Sequence, residues 1–141
     1  MTELIPLKFL TIEGDGTHLL IILKINGKKA KMLVDTGASK TVFDVNRISK
    51  FTGKKKFNKN KLFSTGLGTN SMKSHNTILK KIEIGKIKME DFDAILLDLK
   101  HVNESYEILG FGNIDGVLGG EILVKYKAVI DYGKKQLKLK Y

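Results

Sequence analysis

A chain of 141 residues, 42% of them hydrophobic and with a mean hydropathy of −0.11, has the composition of one ordinary folded domain over 1–141. A disordered or membrane-embedded protein would look different. The lack of cysteine excludes disulfides, thiol nucleophiles and thiolate-bound zinc, and the net charge of +10 raises nucleic acid as a partner.

The chain opens on Met1-Thr2-Glu3-Leu4, without a basic region, an apolar block and a small-residue cleavage site, which predicts a cytoplasmic protein. No apolar run approaches the length of a membrane span, so no membrane partner is expected. Residues 7–12 form the first predicted strand, with Pro6 at its edge or start. Gly14-Asp15-Gly16 turns the chain into a second strand over 18–25, apolar at nearly every position and therefore expected to be covered on both faces. Asn26-Gly27 is a two-residue hairpin signal, because both positions tolerate the positive φ of a type I′ turn. The return strand, 29–34, ends at Asp35, and the hairpin register decides which way that carboxylate faces.

Beyond a short β run at Thr41-Val42-Phe43, residues 44–50 fit a helical turn. Six lysines and no acidic residue fall between Lys50 and Lys61, in a polar, poorly periodic stretch. Arg47 is the only arginine, although arginine is the side chain suited to bidentate phosphate and base contacts. Aromatic residues do not interleave with the lysines as a stacking platform would require. The run therefore reads as a solvated surface, with no specific nucleic acid as partner. Residues 78–89 fold back around Gly85-Lys86, and 92–99 form a buried strand. A loop or brief helix covers 100–109. Glu121 to Lys127 make the one helix expected with conviction from the pattern, followed by strands at 128–132 and 136–141 around Gly133-Lys134. The last strand alternates Leu137, Leu139 and Tyr141 with Lys138 and Lys140, which suits a sheet edge or a subunit contact.

The chemistry centres on Leu33-Val34-Asp35-Thr36-Gly37-Ala38-Ser39. An apolar strand runs into one carboxylate, a hydroxyl and a glycine, and a β run resumes beyond. That holds a single ionisable group at the tip of a loop fixed at both ends, as catalysis requires. The same residues also fit a plain Asp-Thr-Gly turn at a strand end. Other chemistry has little footing. His18, His75 and His101 are far apart, no glycine-rich loop precedes Lys-Ser/Thr, and the acidic residues lack a calcium-loop spacing. No cofactor or metal is expected.

Asp35-Thr36-Gly37-Ala38 resembles the catalytic loop of the retropepsin-like aspartic proteases. Actin-like kinases carry a similar string, but that architecture needs two large domains. Asp115-Gly116-Val117-Leu118-Gly119 matches the apolar-apolar-Gly element that packs against the catalytic loop. The order of elements is closer to the bacterial single-domain proteins than to the viral ones. The resemblance implies a mostly β, half-barrel acid-protease fold with one short C-terminal helix. It implies Asp35, Thr36 and Gly37 as catalytic residues and Ala38 as a substrate contact. Leu62 to Asn70 correspond to the flap, with Gly66, Leu67 and Gly68 at its tip over the peptide; an ordinary glycine-rich loop fits them equally well. Only one Asp-Thr/Ser-Gly occurs, since Asp131-Tyr132-Gly133 has the wrong middle residue. The dyad then requires a homodimer, acting as an endopeptidase on a peptide or protein substrate. The competing reading is a catalytically silent peptide-binding or scaffold module with the same fold. One departure from the viral pattern stands out: where an Arg followed by Asp or Asn after the apolar-apolar-Gly element helps hold the dimer, this chain has Gly120-Glu121.

Overall fold

Alternating apolar residues begin almost at the N-terminus of the structure, a computed structural model that describes residues 1–14, 16–59, 63–64, 71–72 and 74–141. Strand β1 (Thr2–Pro6) buries Ile5 and β2 (Lys8–Ile12) buries Leu10. The apolar run beyond Gly16 becomes β3 (Gly16–Ile25), which separates two hydrophobic clusters. Leu19, Ile21, Leu23 and Ile25 enter the larger cluster, and Leu20 enters the smaller one with Leu10. This division follows from the two-residue period of a strand. Coverage of both faces is confined to residues 19–21, since Ile22 is half exposed.

Asn26 and Gly27 adopt φ of 50° and 84°, as a type I′ turn requires, and lead into β4 (Lys28–Val34). After the Asp35 loop come β5 (Val42–Asp44) and α1 (Ser49–Thr52). Short pieces β6 (Asn58–Lys59), β7 (Phe63–Ser64) and β8 (Ser71–Met72) follow. The longest strands are β9 (His75–Ile84) and β10 (Ile87–Leu97), so the two segments predicted at 87–89 and 92–99 are parts of one strand. Then come α2 (Lys100–Ile108), β11 (Gly116–Leu118), α3 (Gly120–Lys125), β12 (Val129–Asp131) and β13 (Gln136–Lys140).

The protein is mostly β, in the order β2-β3-β4-β11-β5-β10-β9-β6, and a β3–β9 pairing at Lys24↔Glu83 and Ile25↔Ile82 draws that sheet round on itself. A second sheet runs β1-β13-β12 and closes over the larger cluster through Ile5, Leu137 and Leu139. Burying each such side chain contributes about 1.5–3 kcal/mol.

Among the described residues the expected C-terminal helix is α3, and two further helices accompany it: α1, at the end of the predicted helical turn, and α2, where the sequence leaves a loop or brief helix open; α2 buries Asn103 and Tyr106. One sequence expectation changes here. Strand β13 is not an edge: β1 and β12 flank it, so its main chain is paired on both sides. Among the described residues no helix is long and apolar enough to cross a membrane.

Candidate active site

Strand β11 lies between the strands that enter and leave the Asp35 loop. It runs parallel to β4 (Val117↔Leu33, Leu118↔Val34) and antiparallel to β5 (Gly116↔Phe43, Val117↔Val42). The loop from 35 to 41 therefore crosses the end of β11. Its position is set by a central strand on one side and the start of α3 on the other.

Close approach makes this crossing possible. A Cβ on Gly119 would lie 2.5 Å from the Lys40 carbonyl carbon, and one on Gly116 2.5 Å from the Val42 oxygen. No side chain fits at either place. Main-chain bonds then fix the loop: the Asp35 amide donates to Leu118 O at 3.0 Å, and the Gly120 amide to Ala38 O at 2.7 Å. Side chains add a second set. The Gly119 amide donates to Thr41 Oγ1 at 2.9 Å. The Thr41 hydroxyl and amide in turn donate to the two Glu121 oxygens, each at 2.5 Å. Glu121 Oε1 also accepts from the Ile122 amide at 3.1 Å. Each such bond is worth about 1 kcal/mol net, and more where an ionised carboxylate accepts.

At the tip, Asp35, Thr36 and Gly37 are exposed and Ala38 is half-buried. The Gly37 amide donates to Asp35 Oδ1 at 2.9 Å, and the Ala38 amide to Asp35 O at 3.2 Å. Asp35 opens into a cavity of about 290 Å³ lined by Thr17, His18, Leu33, Ile130 and Tyr132 among others. His18, set aside in the sequence as too far from the other histidines to share a metal, lines this cavity and bonds Tyr106 Oη through Nδ1 at 2.8 Å. Gly66, Leu67 and Gly68 lie outside the described residues. Strands β7 and β8 pair on either side of them, Phe63↔Met72 and Ser64↔Ser71.

A larger recess of about 470 Å³ lies away from this loop, around Asp44, Asn46, Asn103 and Asn113. Its inner wall is architectural. Buried Asp44 accepts from the Leu99 amide, the Asn46 amide and side chain, and Asn103 Nδ2, which ties β5 to α2. Asp115, 4% exposed, accepts from the Lys31 amide at 2.9 Å and pairs with Arg47 at 2.9 Å and Lys50 at 2.6 Å. The Asp115 amide returns a bond to Lys31 O, so this residue pins the start of β11 in register. The sole arginine is thus engaged by a carboxylate of its own chain, with its side chain half-buried.

Sequence reasoning found the loop and the strand beneath it, but missed Thr41 and the bracing by Glu121. The spacing carried a trace of both, since Thr41 closes the loop and Glu121 follows Gly119 by two.

Similarity to known proteins agrees with this geometry. No curated protein matches the sequence. Among solved structures, a retropepsin-like aspartic protease from Rickettsia conorii is similar at 26% identity and TM-score 0.60, over 100% of this chain and 94% of that one. The retroviral protease-like domain of Ddi1 from Leishmania major is similar at 13% identity and TM-score 0.57, over 86% and 87% of the two chains. EIAV protease is similar at 16% identity and TM-score 0.55, over 82% and 93%; these last two likenesses bear on the fold alone. A family model described as aspartyl protease matches residues 21–122, which contain both the Asp35 loop and β11, and the chain belongs to that aspartyl protease family, with a retropepsin-like fold.

Proposed function

We propose that the chain is a single domain over 1–141 that acts as an aspartic endopeptidase when two copies bring their Asp35 carboxylates together. The observation that carries this reading is the placement of Asp35: exposed, at the tip of a loop braced from β11 and α3, beside a cavity. Two like charges at one site cannot both ionise easily, so the pair holds one proton. The ionised carboxylate takes a proton from water as the water oxygen attacks the scissile carbonyl carbon. The protonated one donates to the carbonyl oxygen. Collapse of the tetrahedral intermediate breaks the C–N bond, and the departing nitrogen takes up a proton from the dyad.

In this reading Thr36 braces the two loops across the axis, while Gly37 makes the turn and holds Asp35 Oδ1 through its amide. Ala38 leaves room beside the carboxylate for the substrate main chain. Gly66, Leu67 and Gly68 close over an extended peptide. The second copy meets the β12 side of the small sheet: Ile130 and Tyr132 share the Asp35 cavity, Val129 is 50% exposed, and the β13 main chain is already paired.

Asp35→Asn tests the proposal, because it keeps shape and hydrogen-bonding capacity but removes the charge from both subunits. Peptide hydrolysis by the purified variant drops to background while the melting temperature holds or rises above neutral pH. Wild-type specific activity falls on dilution as dimer dissociates. A variant that melts earlier yet still cleaves makes Asp35 a turn residue, and a fully active monomer removes the dyad. A dimer that binds peptides without cleaving them would instead be the silent module.

A further inference from the structure

The Glu121 side chain meets the Thr41 amide, the Thr41 hydroxyl and the Ile122 amide, all within 3.1 Å, and Thr41 is 2% exposed. The Thr41 hydroxyl is used twice, donating to Glu121 Oε1 and accepting from the Gly119 amide. Thr41 is the last residue of the loop that begins at Asp35, and Glu121 is the second residue of the helix that follows β11. The carboxylate therefore joins the exit of the loop to the same segment, 118–121, that holds its entrance through Leu118 O. We infer that Glu121 is a positioning residue for Asp35. Through Thr41 it fixes the exit of the 35–41 loop, so the carboxylate at the tip is held where its partner copy and the substrate need it.

This assignment rests on the protease reading, and it depends on charge and acceptor count, not on bulk. Oε1 faces two donors and Oε2 faces one. A glutamine of the same shape has one acceptor and one donor to offer. If its oxygen takes the Oε1 place, its NH2 confronts the Thr41 N–H. If the amide is turned, its NH2 confronts the Ile122 N–H, and the Thr41 hydroxyl has no acceptor. Either orientation leaves donor facing donor, so Glu121→Gln opens the brace without emptying any volume. Glu121→Asp is one methylene too short to reach both groups on Thr41.

The test combines turnover with amide hydrogen exchange on the full chain. Glu121→Gln is expected to lower kcat on the order of 10–100-fold, with KM within about twofold of wild type, since misplacing a reacting group by a fraction of an ångström acts on the chemical step. Thr41→Val, which lacks the hydroxyl, gives a similar loss, and the double variant is no worse than the poorer single one. Thr41→Ser, which keeps the hydroxyl, retains wild-type kcat. Exchange rises in residues 38–41 and 119–122 of Glu121→Gln, while the β9–β10 ladder keeps its protection. An unchanged kcat in Glu121→Gln overturns the assignment. So do additive losses in the double variant, or an exchange increase spread over β9 and β10 with a lowered Tm, which mark a residue of general stability only. If the wild type cleaves no peptide, the protease reading fails on its own, and unchanged exchange at 38–41 then overturns the brace.

Discussion

Gly119→Ala and Gly120→Ala make a paired experiment on neighbouring residues with opposite expected outcomes. Gly119 has φ −100° and ψ 179°, extended backbone that alanine adopts without strain, so any effect comes from space alone. Its Cβ would stand 2.5 Å from the Lys40 carbonyl carbon, 2.6 Å from Lys40 O and 2.8 Å from the Thr41 nitrogen. These are backbone atoms and have no rotamer to change. To regain an ordinary contact of 3.4 Å the loop must retreat by about 0.9 Å. That shift pulls Thr41 Oγ1 from the Gly119 amide as well. Overpacking costs about 1–3 kcal/mol and the lost bond about 1 more, so Tm falls by roughly 6–16 °C for a chain of this size. A displacement near 1 Å beside the reacting group costs turnover on the order of 100-fold. On Gly120 the same methyl meets only Ala38 O, at 3.4 Å, and removes a glycine from the first turn of α3. That variant holds or gains up to about 1 kcal/mol. Thermal denaturation and peptide hydrolysis on both proteins decide the matter. Equal effects at 119 and 120, or a Gly119→Ala protein as stable as wild type, would refute the close-packed crossing.

Two further outcomes follow from the polar contacts. The Asp98 carboxyl is held below the usual carboxylate range, first by the Lys100 amide and then by Asn46 Nδ2. Its stabilising contribution is thus complete above the ordinary carboxylate pKa and disappears as pH falls through the lower folded value, so Asp98→Ala melts below wild type at neutral pH and the gap narrows as the pH is taken below the ordinary carboxylate range. Asp115→Ala leaves the part-buried Lys31 amide without its acceptor and releases Arg47 and Lys50; the urea midpoint drops by an amount equivalent to about 2–3 kcal/mol with an unchanged m-value.

The elements that could be read from sequence are those whose causes are local. The Asn26-Gly27 turn needs two positive φ values, and its residue types announce them. The Asp35 loop and β11 were legible because tight turns and crowded crossings admit few residue types. Strand β1 was missed because its partner is at the other end of the chain, Thr2↔Lys140, with no nearby residue to reveal the pairing. The same pairing moved β13 from an expected edge to the middle of its sheet. Helix α2 was ambiguous since a buried Asn103, bonded to Asp44 and to the Ile114 main chain, replaces the apolar stripe that marks a helix. Glu121 registered as the start of a helix and as part of a departure from the viral pattern, not as a partner of Thr41. Its bond to Thr41 spans 80 residues, beyond what spacing can express.

The surroundings of Asp35 argue for the second copy more directly than the motif count does. Among the described residues, the polar side chains around its cavity are Thr17, His18, Thr36 and Tyr132, and Asp35 is the one carboxylate. His18 is bonded to Tyr106, whose ring it also meets edge-on at 5.7 Å. Among the described residues the Asp35 side chain accepts one backbone bond, from Gly37, and the residue is exposed. A lone carboxylate in that position can accept a proton from water, but the described lining of the cavity holds no second carboxylic acid to protonate the carbonyl oxygen in the same step. Attack and protonation must occur together if the tetrahedral intermediate is not to carry an unshielded negative charge. In the proposed dimer a two-fold partner supplies that acid with no further residue type, since Asp35 then faces its own copy. Bracing by β11, Gly119 and Glu121 fits that demand, because the two loops meet within hydrogen-bond distance only if each is held to a fraction of an ångström before they associate.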